Sequence, residues 1–312
     1  MSDGQPFTPP CPLHTAVLFL IYKRPDTTRQ VFEAIRQAKP PRLYVAADGP
    51  KANVPGEAEK VQQARDIVIN GVDWDCEVKT LFRETNLGCK YGVSGGITWF
   101  FEHEEEGIIL EDDTLPSQSF FWFCQELLER YRDDERIFII SGYNKQNEWL
   151  NGKFDYFFSF FGGIWGWATW RRAWKHYDME MTDIEQYAEN GFFEQLLGKK
   201  LGIIRKKQLL NAKIQNINGK MNTWAFPWAF TRHLHNGLAC VPSLSLIINI
   251  GFSENATHTR GNNIDNVCRN NILFPLKYND NFVADELYDI RFLGHANIAY
   301  RIMIQIKSLL KL

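Results

Sequence analysis

Short apolar runs alternate along the first half of the chain with segments that carry apolar residues at helical spacing. The runs of four to seven residues are typical of strands, and the intervening segments, with apolar residues every three or four positions, are typical of helices. The predicted strands are Val17 to Tyr22, Leu43 to Ala47, Cys76 to Phe82, Gly107 to Leu110 and Ile137 to Ile140. The predicted helices follow Pro25, cover Val61 to Val68, run from Tyr91 to Phe101 and run from Ser117 to Tyr131. This alternation predicts an α/β fold, with a mostly parallel sheet flanked by helices on both faces.

Polar residues stand where these predicted strands end. Three consecutive carboxylates, Glu111 to Asp113, close the fourth strand, while Arg24, Asp48 and Arg83 follow the first three. Ligands of open α/β sheets bind in the crevice outside the carboxyl ends of the strands. We therefore expect polar groups from four strands to converge on one cleft.

The acidic triplet needs a positive partner if it is a site. Like charges a few ångströms apart disfavour joint ionisation. Mg²⁺ and Mn²⁺ accept one or two carboxylates and take further ligands from water and phosphate oxygens. The expected cofactor is Mn²⁺ or Mg²⁺ together with a diphosphate ligand, and the alternative is a solvated acidic loop.

A longer segment carries a family resemblance. The stretch RETNLGCKYGVSGGITWFFEHEEEGIILEDD, with AADGP before it and IWGWATWRRAW after it, resembles the nucleotide-sugar glycosyltransferases of the GT-A fold. Bacterial relatives of N-acetylglucosaminyltransferase I are the most similar, over about residues 15 to 260. The resemblance implies a Rossmann-like, nucleotide-sugar-binding half at 15–143 and an acceptor-side half of the same domain at 144–262. A flexible N-terminus at 1–14 and a C-terminal extension at 263–312 complete the expected organisation.

The resemblance also implies roles for individual residues. Asp113 would bind the metal, with His258 completing the shell or touching a phosphate. Glu111 and Asp112 would face the donor ribose and sugar, and Asp112 is also a candidate catalytic residue. The implied nucleotide and donor contacts are Tyr22, Arg24, Asp48, Arg83, Gly88, Lys90 and Arg260. The implied sugar and acceptor contacts are Trp165, Gly166 and Trp167, for which a plain core role is the alternative.

One family feature is missing. Inverting transfer needs a base for the acceptor hydroxyl, usually a carboxylate, and the family supplies it just after a Trp in a W-D-type motif. The segment here reads NTWAFPWAF, with Ala225 in that place. Glu254 is the preferred substitute base and Asp178 another. The alternatives are a different mechanism, such as a retaining one, and sugar-nucleotide binding without transfer.

Charge and the chain ends limit the partners. The net charge of −2 over 312 residues argues against a nucleic-acid binder. The first residues, MSDGQPFTPPCPLH, lack the apolar core of a secretory signal, so a cytoplasmic location is expected. Residues 298–312 form a basic amphipathic pattern that predicts contact with the inner face of an anionic membrane, with a helix packed on the domain or on a partner as the alternative.

These features together predict a metal-dependent glycosyltransferase of polysaccharide biosynthesis. The donor is expected to be a UDP-sugar, with N-acetylglucosamine or a related hexose, and the acceptor a hydroxyl of a glycan or lipid-linked glycan. A sugar-nucleotide or glycan-binding protein that does not catalyse transfer is the main alternative. A nucleotidyltransferase is a second alternative, but YKRPDTT is not the Gly-rich basic loop that such an enzyme usually carries after its first strand.

Overall fold

The computed structural model describes residues 7–251 and 270–294. The strands are β1 Val17–Ile21, β2 Arg42–Ala47, β3 Glu77–Phe82, β4 Glu106–Glu111, β5 Thr114–Pro116, β6 Ile137–Ser141, β7 Tyr156–Ser159, β8 Trp167–Trp170, β9 Leu238–Pro242 and β10 Ile247–Asn249. The helices are α1 Pro25–Ala38, α2 Glu57–Ile69, α3 Gly88–His103, α4 Gln118–Arg130, α5 Arg171–Trp174, α6 Ile184–Glu189, α7 Phe192–Ile217, α8 Ala225–Leu234 and α9 Glu286–Phe292.

In the described residues, eight strands form one sheet in the order β3-β2-β1-β4-β8-β6-β9-β7. The four strands on the β3 side are mutually parallel, and β6 is parallel to β9. Strands β8 and β7 are antiparallel to their neighbours. The carboxyl ends of β1 to β4, and of β6 and β9, therefore lie at one edge of the sheet.

Alternate residues of the buried strand β1 face two different cores. Val17, Phe19 and Ile21 pack in the core beneath α1, α2 and α4. Leu18 and Leu20 pack in the opposite core with side chains of α3, α5 and α8. Burial on both faces explains why β1 is an unbroken apolar run, as in other central parallel strands.

The predicted α/β class, with its mostly parallel, Rossmann-like sheet, is confirmed. Each predicted strand and helix of the first half is present, with ends that differ by a few residues. The acidic triplet continues into the short strand β5, which pairs with β10 in a separate two-stranded sheet. The sequence patterns did not predict β5 or β10, and they did not predict the antiparallel strands of the second half.

Several predictions fall outside the described ranges. These concern Glu254, His258, Arg260 and the amphipathic segment 298–312. Within the described part of the chain, no helix combines the length and apolar character needed to cross a bilayer.

Candidate functional site

A cavity of about 480 Å³ opens at the carboxyl edge of the sheet. Its walls come from the ends of β1, β2 and β4 and from the first turns of α3. Trp165, Asn222, Asn249 and Gly251 contribute from later in the chain. We call it the donor cavity, after the nucleotide-sugar donor that the sequence predicts at this edge of the sheet. Its lining is Leu20, Ile21, Tyr22, Lys23, Arg24, Ala46, Asp48, Lys51, Asn86, Gly88, Cys89, Gly92, Val93, Glu111, Asp112, Asp113, Trp165, Asn222, Asn249 and Gly251.

The acidic triplet is held in a defined turn at the end of β4. The Tyr22 N–H donates to Asp112 Oδ2 at 3.0 Å. Arg24 Nη1 lies 2.5 Å from Asp113 Oδ2 and 3.8 Å from Asp112 Oδ1. One guanidinium thus faces two of the three carboxylates.

The electrostatics of this turn favour an additional cation. Burial, followed by repulsion from the neighbouring carboxylates, raises the pKa of both Glu111 and Asp112, while Arg24 lowers it in part. Cys89 on the adjacent helix shows the same effect, because burial and then the charges of Glu111, Asp113 and Asp48 raise its thiol pKa to about 12. The donor cavity therefore carries negative charge that Arg24 compensates only in part.

The carboxylates of the acidic turn fit a hard divalent cation that takes its remaining coordination positions from a bound ligand and water. In residues 7–251 and 270–294, no three His, Cys, Asp or Glu side chains form a complete metal site. Mg²⁺ and Mn²⁺ do not need one, since one or two carboxylates plus phosphate oxygens and water suffice. Asp113 and Asp112 are the carboxylates positioned for this role, and the predicted ligand His258 lies outside the described residues.

Gly251 makes the close approach of Arg24 to Asp113 possible. The ribbon formed by β5 and β10 continues with a hydrogen bond from the Ile250 N–H to the Asp113 carbonyl oxygen, at 2.8 Å. This bond brings Gly251 over the carboxylate. A Cβ at residue 251 would lie 2.3 Å from Asp113 Oδ2 and 2.9 Å from Arg24 Nη1, so any larger residue would displace the pair.

Asp48 lines the cavity and also accepts hydrogen bonds that hold the start of α3 in place. Its carboxylate accepts the N–H groups of Leu87 and Gly88 at 2.9 Å each, where α3 begins, and Asn86 Nδ2 at 3.0 Å. A carboxylate at a helix N-terminus satisfies amide donors that the helix leaves without partners. Gly88 has φ +77°, and a Cβ there would lie 2.3 Å from Asn222 Nδ2. The loop before α8 therefore packs directly on the start of α3.

Lys23 and Lys51 line the donor cavity beside the acidic turn, and we call this pair the basic rim. The sequence patterns did not predict it. Tyr22 and Lys23 donate to the buried carboxylate of Glu57, which also accepts the Lys51 N–H at 2.9 Å. Burial alone would raise the pKa of Glu57, but the bonds from Lys23, Tyr22 and Lys51 lower it to about 2. Glu57 stands outside any predicted strand end, and only the packing of α2 against the end of β1 reveals it.

Two predicted nucleotide contacts lie away from the donor cavity. Arg83 points along α3, where a Cβ on Gly95 would come within 2.7 Å of its Nη2. The Lys90 side chain is largely enclosed, and its Nζ pairs with Glu180 at 3.0 Å. Neither side chain is part of the cavity lining, because a strand-end position fixes the backbone but not the direction of a long side chain. Their role as nucleotide contacts stays a prediction.

Of the three predicted sugar contacts, Trp165 lines the donor cavity. Trp167 is fully buried and stacks on Trp224, with ring centroids 5.7 Å apart. Gly166 is enclosed as well, since a Cβ there would meet Ile247 at 2.5 Å. Trp167 and Gly166 are therefore packed in the core, which agrees with the alternative of a plain core role, and their contact with a sugar stays a prediction.

The structure also bears on the acceptor base. Asp178 is engaged by its own loop, because its carboxylate accepts the N–H groups of Glu180 and Thr182. It does not line the donor cavity. Ala225 begins α8, and Trp224 beside it is buried in the core. The preferred candidate, Glu254, lies outside the described residues.

No protein-family model matches the chain, and no curated protein sequence does. Solved structures do align with it. The 4-diphosphocytidyl-2C-methyl-D-erythritol synthase from Anaerococcus prevotii aligns over 76% of this chain and 92% of its own, with 8% identity and a TM-score of 0.38. HddC from Yersinia pseudotuberculosis, complexed with GMP-PN, aligns over 51% of this chain and 77% of its own, with 10% identity and a TM-score of 0.31.

The apo structure of the bifunctional glycosyltransferase WbbM aligns over 74% of this chain, with 9% identity and a TM-score of 0.33. The chain spans 39% of WbbM and 57% of a further HddC structure. At such identities and TM-scores these alignments carry no information about activity, which must be argued from the site.

Proposed function

We propose that this protein is a metal-dependent glycosyltransferase that takes a sugar from a nucleoside diphosphate donor bound in the donor cavity. The observation that carries the proposal is the turn formed by Glu111, Asp112 and Asp113. It is a strand-end turn with more carboxylate than the neighbouring Arg24 neutralises, and it faces a cavity large enough for a small-molecule ligand.

A diphosphate would be repelled by this turn unless a cation lay between them. Asp113 and Asp112 would hold Mn²⁺ or Mg²⁺, which when bound supplies Lewis-acid stabilisation to a departing diphosphate. Arg24 would orient the Asp113 carboxylate and add positive charge on the same side. Lys23 and Lys51 of the basic rim supply further positive charge in the same cavity.

The remaining assignments follow the family resemblance. UDP is the proposed nucleotide, with N-acetylglucosamine or a related hexose as the sugar, and a glycan hydroxyl as the acceptor. Trp165 would present its ring to a sugar face, an interaction that aromatic side chains suit. Glu254 is the proposed base that removes the acceptor proton.

One observation favours a second function, which is binding of sugar nucleotides without transfer. The position that carries the base in related enzymes is Ala225, and its neighbours Trp224 and Trp228 are core residues. A donor site that binds UDP with metal but transfers no sugar would select this second function.

The test is calorimetric titration of UDP, GDP and dTDP, with and without Mn²⁺, on the full chain. Asp113→Asn keeps the shape of the side chain and removes its charge, and Asp75→Asn is the matched control at an exposed carboxylate. We expect metal-dependent binding of UDP that Asp113→Asn weakens at least about tenfold, as expected for loss of a charged ligand, and that the control retains. Equal binding with and without metal, or no nucleotide binding at all, would overturn the proposal.

A further inference from the structure

A second cavity, of about 380 Å³, adjoins the donor cavity, and Trp165 lines both. One wall is the face of α8 at positions 225, 228, 229 and 232, which have helical i, i+3, i+4 and i+7 spacing. The other walls come from the chain after β6, the loop between β7 and β8, and single residues of α7 and α9. Its lining is Tyr143, Lys145, Phe161, Gly162, Gly163, Ile164, Trp165, Arg205, Ala225, Phe226, Trp228, Ala229, Arg232 and Phe292. We call it the arginine cavity.

Two arginines in this lining are almost completely buried. Arg205 of α7 is 8% exposed and Arg232 of α8 is 3% exposed. Among the described residues, Arg232 Nε and Nη1 are enclosed and have no hydrogen-bond partner. Arg205 donates from Nε to His233 Nε2 at 3.0 Å and from Nη1 to Gln208 at 3.3 Å.

The groups around the arginines do not neutralise them. An arginine N–H can only donate, so His233 Nε2 must accept, and this imidazole is the neutral tautomer protonated at Nδ1. Burial, and then the two guanidinium charges, lower the pKa of His233 well below its usual value. Burial likewise lowers the pKa of Arg205 to about 9, with a further contribution from Arg232.

The available carboxylate is only a partial counterion. Asp289 of α9 is the acid whose charge acts on Arg232. Its oxygens already accept Ser159 Oγ and, at 3.4 Å, the Phe160 N–H. Burial raises the pKa of Asp289 to about 7, so its own negative charge is disfavoured. Among described residues, the lining of the arginine cavity contains no acid.

A buried guanidinium whose N–H groups lack acceptors costs free energy, unless a bound anion accepts the remaining hydrogen bonds and balances the charge. The planar guanidinium donors match the oxygens of carboxylates and phosphates, and such charged pairs form short, strong hydrogen bonds. The rest of the lining is largely aromatic, with Tyr143, Phe161, Trp165, Phe226 and Trp228, and aromatic rings suit the apolar faces of sugars.

We propose that the arginine cavity is the acceptor subsite, and that it selects an acceptor whose sugar carries a carboxylate or a phosphate, bound by Arg232 and Arg205. The inference rests on the proposed function, because it treats the adjoining cavity as the donor site. Trp165, shared by the two cavities, would then separate the donor sugar from the acidic sugar. The acceptor is thus a uronic-acid-containing or a phosphorylated glycan rather than a neutral one.

The experiment measures binding of glucose, glucuronate and glucose 6-phosphate to the full chain by calorimetry at constant ionic strength. We expect at least one acidic sugar to bind at least about tenfold more tightly than glucose, as expected for a charge-assisted hydrogen-bond pair. Preference for glucuronate indicates a uronic acid acceptor, and preference for glucose 6-phosphate indicates a phosphorylated one. Equal affinity for all three overturns the proposal, and this arm needs no variant.

Variants locate the binding. Arg232→Gln and Arg205→Gln should each remove the preference for the acidic sugar. Arg136→Gln, at an exposed arginine whose side chain is paired with Asp134, should leave it unchanged. If Arg24→Gln removes the preference and Arg232→Gln does not, the acidic sugar binds in the donor cavity and the proposal is wrong.

UDP titration separates this inference from the proposed function. UDP binding that requires Mn²⁺ and is unaffected by Arg232→Gln, without any preference for acidic sugars, would overturn only the acceptor subsite. An acidic-sugar preference that depends on Arg232, in a protein that binds no nucleotide, would overturn the proposed function and the acceptor role while leaving an anion site.

Discussion

The two adjoining cavities carry opposite charge, and the charged residues of each are brought together in a different way. In the donor cavity, the three carboxylates of Glu111, Asp112 and Asp113 are consecutive in the chain at the end of β4. They are therefore close enough to repel one another whatever the rest of the fold. In the arginine cavity, Arg205 and Arg232 are 27 positions apart on different helices, and only the packing of α7 and α8 brings them together. A local cluster of charge can be read from sequence, whereas a cluster assembled by packing cannot.

The same contrast appears in how the charges are supported. The basic rim of the donor cavity is supported by the buried, hydrogen-bonded carboxylate of Glu57. Arg232 has no equivalent, since Asp289 shares its oxygens with Ser159 and Phe160. The donor cavity therefore has surplus negative charge beside a satisfied basic rim, and the arginine cavity has surplus positive charge without one.

Trp228→Ala should give the largest effect, because Trp228 forms both a wall of the arginine cavity and part of the core. Its ring packs on Trp174 at 5.1 Å and on Trp167 at 5.9 Å. We expect the free energy of unfolding to fall by about 3 to 5 kcal/mol, measured by urea denaturation. Ile217→Ala, at a side chain 67% exposed, should change it by less than about 0.5 kcal/mol.

The same variant tests whether the two cavities are independent. Trp228 does not line the donor cavity, so UDP affinity in the presence of Mn²⁺ should be retained at a temperature where the variant is folded. A parallel loss of UDP and acidic-sugar binding would mean that the two cavities form one site.

Glu57→Gln should show how much the Glu57 carboxylate, which holds the basic rim, contributes to the free energy of unfolding. Because the folded pKa of Glu57 is lowered from 4.5 to about 2, its contribution is present above pH 4.5 and is lost as the pH falls towards 2. We expect the variant to be less stable at pH 7 by about 3 kcal/mol, and to lose less stability than the unaltered protein between pH 5 and pH 3.

Urea denaturation across this pH range is the measurement. Glu33→Gln is the control, since the Glu33 side chain is 48% exposed in an ion pair with Arg36, and exposed pairs contribute little. Identical pH profiles for Glu57→Gln and the unaltered protein would show that the buried network does not stabilise the rim.

Gly251→Ala should disturb the acidic turn without changing any charge. The new Cβ would meet Asp113 Oδ2 and Arg24 Nη1, so the pair must separate. We expect UDP affinity in Mn²⁺ to fall by about tenfold, as for loss of one well-placed charged contact. Gly95→Ala is the matched control, because its Cβ meets only the movable end of Arg83. Unchanged affinity in Gly251→Ala would remove Asp113 from the donor site.

Arg83→Gln should give the smallest effect, and it tests the predicted nucleotide contact of Arg83. Its guanidinium lies along α3 outside the donor cavity, so UDP affinity should change by less than about threefold, within the range of a distant surface charge. Arg24→Gln, measured in the same titration, should lower the affinity at least about tenfold. Equal losses in the two variants would place Arg83 in the site after all.

The sequence predicted the fold more completely than the site. Strand β1 is apolar throughout because both of its faces are buried, and α1 begins at a proline, so both elements carry local signals. The acidic turn was predicted because it follows such a strand. Trp165 and Trp167 stand two residues apart in the same aromatic segment, yet one lines a cavity and the other is core, and neither composition nor spacing separates them.

What the sequence by itself determined is the α/β arrangement and the position of the carboxylates at the end of β4. Both follow from short-range rules, namely the period of apolar residues and the chain direction of a parallel strand. What only the tertiary structure decided is which long or aromatic side chains line a cavity, and that Arg205 and Arg232 share one cavity. Side-chain direction depends on neighbours that are distant in the chain, because a flexible side chain adopts the rotamer that its packing allows.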